Sequence, residues 1–79
     1  MPEEYVPTAE EIAGHYRAAL DSVTLVNELA AKEELTQEER DTISRNVEHL
    51  RIMEGKDFWT TEDLTPFTDS IAAGDAALA

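Results

Sequence analysis

Two stretches of this chain, Thr8-Ala9-Glu10-Glu11 and Thr36-Gln37-Glu38-Glu39, carry the same signal. In each, a threonine stands three residues before a glutamate. The hydroxyl can accept from the N–H of the third helical residue while the glutamate reaches back to the threonine's own N–H, so each stretch starts a helix. The adjacent acids also face the positive end of the helix dipole. The expected fold class is therefore all-α.

Behind the first cap, Ile12, Tyr16, Ala19, Leu20, Val23, Val26 and Ala30 share one stripe at the 3.6-residue period, which predicts a helix from Ala9 to about Glu33. Gly14 within it costs about 1 kcal/mol relative to alanine if solvated, unless it marks close packing. Behind the second cap, Ile43, Val47 and Leu50 repeat the pattern. The short link between the two helices predicts an antiparallel hairpin. At Gly55 two readings are open: glycine is the residue expected just past a helix end, but a helix carried through it keeps Phe58 within about 60° of Ile43. A continuing, kinked helix is the expectation.

Thr60 with Asp63 marks a capping or Asx-type turn, and Thr65 followed by Pro66 predicts a third helix with Thr65 as its cap and Pro66 at its first position. Phe67, Ile71, Gly74 and Leu78 form its stripe, and Ala72, Ala73, Ala76 and Ala77 allow close approach. The architecture expected is a small three-helix domain over residues 8–79, an antiparallel hairpin closed by a third helix, preceded by an N-terminal arm, residues 1–7. Phe58, Leu64 and Phe67 are placed in the core at the corner between the second and third helices.

Composition narrows the function. With 79 residues and no cysteine, the chain has a modest core and no disulfide, thiolate site or cysteine nucleophile. Its 18 acids against 6 bases give a net charge of -12, which repels phosphate backbones and anionic lipid alike. Direct nucleic-acid binding and membrane association are not expected. No apolar run approaches the roughly 20 residues that span a bilayer. The start, "MPEEYVPTAEE", is acidic where a targeting peptide is basic.

Catalytic patterns are missing. Glu11 and His15 share a helix face, which is half a metal site without a third ligand at a useful spacing, and His49 reads as a solvated helix residue. The acid pairs Glu10-Glu11, Glu33-Glu34, Glu38-Glu39 and Glu62-Asp63 mostly coincide with helix starts, where capping explains them. There is no phosphate-cradling glycine loop, nucleophile elbow or calcium loop. Neither enzyme activity nor a cofactor or metal is expected.

Some large apolar residues fall outside the core stripes. Leu25 and Leu29 lie about 120° or more from the Ile12 stripe, and Ile52 and Trp59, seven residues apart on a continuing helix, lie opposite Ile43. These second faces are either internal, since one helix of three can touch both others, or an interface for a partner or for copies of the same chain.

The segment "RNVEHLRIMEGKDFWTTEDLTPF", Arg45 to Phe67, resembles one found in small proteins and domains encoded by tailed bacteriophages and prophages. Arg45-Asn46, His49-Leu50, Ile52-Met53, Lys56-Asp57-Phe58-Trp59 and Thr61-Glu62-Asp63 carry the resemblance, under a third of the chain. Those relatives usually have another residue where Gly55 stands, which implies an unbroken helix. The resemblance implies a phage-encoded virion or tail-assembly component, or an accessory protein, located in the bacterial host cytoplasm or in the particle. It nominates Asp57, Trp59, Glu62 and Asp63 as a recognition surface. A non-catalytic protein-interaction module is the leading expectation; an acidic inhibitor that mimics nucleic acid or blocks a basic surface of a host protein is the alternative.

Overall fold

The structure, a computed structural model, describes residues 7–79; residues 1–6 of the expected arm lie outside the described residues. It contains α1 (Ala9–Ala30), α2 (Gln37–Glu54) and α3 (Thr65–Leu78), each packed on the other two. Both capping boxes form: Thr8 and Thr36 accept from the N–H groups of Glu11 and Glu39, whose carboxylates accept from the threonine N–H groups at 3.0 and 2.9 Å. The first helix stops at Ala30, short of Glu33. The Lys32 N–H turns in to the Leu29 carbonyl, and the Lys32 side chain then pairs with Glu39 across the link. The same link feeds Leu35 onto the core.

The α1/α2 hairpin is antiparallel, and α3 runs back beside α1, with Phe67 against Tyr16 and Ser70 reaching Val23 and Asn27. Ala19, Val23, Val26, Ile43, Val47, Leu50, Met53 and Phe67 form the buried core. Tyr16, Leu20, Phe58, Leu64, Ile71 and Leu78 pack around it half-buried, as does Leu29.

The three helices meet closely at Gly74. A methyl group there would overlap Val47 Cγ2 and stand 3.2 Å from both Ile43 Cγ2 and Val26 Cγ1. One turn earlier, the fully buried Ser70 places its hydroxyl 2.7 Å from Asn27 Oδ1 and 3.2 Å from the Val23 carbonyl, so its single proton has an acceptor on the neighbouring helix. Gly14, by contrast, faces open space, and close packing does not explain it.

Candidate functional site

The expected continuation of the second helix through Gly55 is overturned, and with it the implied unbroken helix. α2 ends at Glu54, and Gly55 is its C-cap. The glycine itself does not force the stop. Its φ of -77° and ψ of -6° are right-handed, and an added Cβ would meet nothing nearer than 3.5 Å. What ends the helix is the Met53 carbonyl, which accepts from the Lys56 N–H at 3.1 Å and from the Trp59 indole N–H at 2.7 Å. A continuing helix would leave Trp59 facing solvent beside Ile52. By turning out at Gly55 the chain instead folds the indole back over the bundle, and burial of so large a side chain outweighs another helical turn.

Residues 55–64 therefore form an elbow without regular structure, fastened at both ends. Trp59 ties its beginning to α2. The Tyr16 hydroxyl donates to the Asp63 carbonyl at 2.7 Å and ties its end to α1. Aromatic rings fill the inside: Trp59 presents edges to Tyr16 and Phe67 at 5.9 Å and to Phe58 at 4.7 Å, and Phe58 stacks on His15 at 5.6 Å. The start of α3 differs from expectation by one residue. Leu64 is the N-cap without a side-chain bond, Thr65 is already helical, and Asp63 Oδ1 accepts from the Thr65 N–H at 3.0 Å. Bonds from the Thr65 hydroxyl and N–H hold the Asp63 carboxyl below its ordinary value of 3.8.

The nominated residues separate into two groups. Trp59 and Leu29 turn inward and pack on the core, so Trp59 and Ile52 do not share a face. Ile52, 55 % exposed, and Leu25, 37 % exposed, remain outside, on different helices. Asp57 and Asp63 are exposed on the elbow with Lys56, Thr60 and Thr61, and Glu62 is half-buried. Helix periodicity put Leu29 outside because it assumes one buried stripe, whereas a helix with two neighbours buries a wider arc. The indole bond to a main-chain carbonyl left no trace in the sequence beyond a tryptophan just past a glycine.

A cleft of about 310 Å³ opens beside the elbow, lined by His15, Met53, Lys56, Asp57 and Phe58. A second, of about 490 Å³, lies at the far end by the α1/α2 link, with Lys32, Glu33, Glu34 and Arg40 around Ala30, Leu35 and Ala77. Among the described residues no three His, Asp or Glu side chains come together as a metal site, so Glu11 and His15 gain no third ligand. Among the described residues no helix is long and apolar enough to cross a membrane.

By architecture the chain is a small all-α three-helix domain. No family model, curated protein or solved structure matches it.

Proposed function

We propose that this chain is a non-catalytic protein-interaction module whose recognition surface is the elbow, residues 55–64. One observation carries the reading: this irregular segment is bonded to α2 through Trp59 and to α1 through Tyr16, while Asp57, Thr60, Thr61 and Asp63 face outward. A loop fixed on a rigid scaffold loses little conformational freedom on binding, and recognition residues concentrate on such loops. The partner is another protein or a further copy of the chain, and neither nucleic acid, membrane nor cofactor enters. The resemblance of Arg45 to Phe67 supports a phage-encoded virion or tail-assembly component or accessory protein, working in the host cytoplasm or within the particle.

The second reading, an acidic inhibitor of a basic host surface, is favoured by the charge of -12 and by α3, which carries Asp69 and Asp75 and no base. Affinity isolation from the native source, with mass spectrometry of what is retained, tests both. The elbow reading expects a partner that persists at high salt and is released by Glu62→Lys. Loss of the partner by salt alone, with elbow variants behaving like the parent, selects the inhibitor instead.

A further inference from the structure

We infer that the cleft beside the elbow receives one large apolar side chain of a partner protein, whose neighbouring carboxylate pairs with Lys56. This rests on the elbow as the recognition surface and adds the chemistry of what it recognises. Met53 and Phe58 provide apolar walls, and the His15 ring, stacked on Phe58 at an interplanar angle of 21°, extends them. Phe58 is also held by the Trp59 edge, so the walls exist before anything binds. At about 310 Å³ the cleft is at the small end of ligand sites and suits a single side chain of leucine or phenylalanine size.

Charge selects the neighbour. Of the six bases, Lys32 and Arg51 are each engaged with an acid, Glu39 and Asp75; Arg17, Arg40, Arg45 and Lys56 have no ion pair among the described residues, and of these four Lys56 is the one that lines this cleft. In a chain of 18 acids and 6 bases, an incoming carboxylate is repelled over most of the surface and finds an uncommitted ammonium at the lip of this cleft. Asp57, next along the rim, opposes that carboxylate and limits the attraction.

The test is an NMR titration of the full ¹⁵N-labelled chain with three dipeptides: acetyl-Leu-Asp-amide, acetyl-Leu-Lys-amide and acetyl-Ala-Asp-amide. The Leu-Asp probe should move the amide signals of His15, Lys56, Asp57 and Phe58 and bind about threefold more tightly than Leu-Lys, the scale of one exposed ion pair, and about tenfold more tightly than Ala-Asp, which lacks the apolar group that fills the cleft. Lys56→Glu should reverse the order of the Leu-Asp and Leu-Lys probes, and Asp57→Asn should tighten Leu-Asp. Equal response to all three, shifts confined to other residues, or no shift at millimolar probe overturns the inference. A captured partner released by Glu62→Lys but indifferent to Lys56→Glu would overturn the cleft and leave the elbow reading standing.

Discussion

Two glycines in this molecule have opposite meanings, and the difference is the space around them. At Gly14 a methyl group meets nothing within 4 Å, so Gly14→Ala should stabilise the fold by about 1 kcal/mol through helix propensity alone. At Gly74 the same change forces Val47 aside, and Gly74→Ala should destabilise by about 2–3 kcal/mol, the scale of an overpacked core. Urea denaturation of the two variants checks both signs; a Gly74→Ala protein as stable as the parent would mean that the helices can part there at no cost. Ser70 shows how far residue type alone can mislead. Serine is rarely called core, yet Ser70 is fully buried because Val23 and Asn27 supply acceptors from another helix. That compensation depends on tertiary contact and has no local signature.

The beginnings of α1 and α2 were legible because a capping box is a local arrangement of four residues. Their ends were not. α1 stops where Leu35 is drawn onto the core, and α2 stops where Trp59 turns back, and both depend on packing between elements. α3 lies between these cases, since its start rests on Asp63 two positions before the expected cap. That bond makes a pH prediction. The Asp63 carboxyl is held below 3.8 in the folded chain, so its contribution is fully present above that value and is lost as pH falls through the lower folded pKa. Asp63→Asn keeps an acceptor for the Thr65 N–H without the charge. Stability measured from pH 6 down to about pH 2 should therefore fall less steeply for the variant, with the gap between the two proteins closing in acid. Parallel curves would show that the carboxylate adds nothing beyond a neutral acceptor.

Over the whole molecule, repulsion among surplus acids opposes folding. The two ion pairs among the described residues, Lys32–Glu39 and Arg51–Asp75, are solvent-accessible and are small terms beside a net charge of -12. Raising ionic strength from roughly 10 mM to 150 mM shortens the screening length from about 30 to about 8 Å and weakens the repulsion more than the contact pairs. Thermal unfolding followed by circular dichroism should show Tm rising over that range, and a falling Tm would mean that attractive pairs dominate. The all-α class and the hairpin followed from periodicity and caps, but the elbow surface did not, because its inward aromatics and outward acids are adjacent in sequence and separate only when the chain turns.

The bare backbone at Gly74 also restricts how the helices can slide. Shifting α3 by one turn against its neighbours would bring either the Ser70 hydroxymethyl or the Leu78 isobutyl group into a gap that has no room even for a methyl. An alanine-rich helix would otherwise settle at several axial positions of similar energy; the crowding at Gly74 rejects a one-turn slip in either direction.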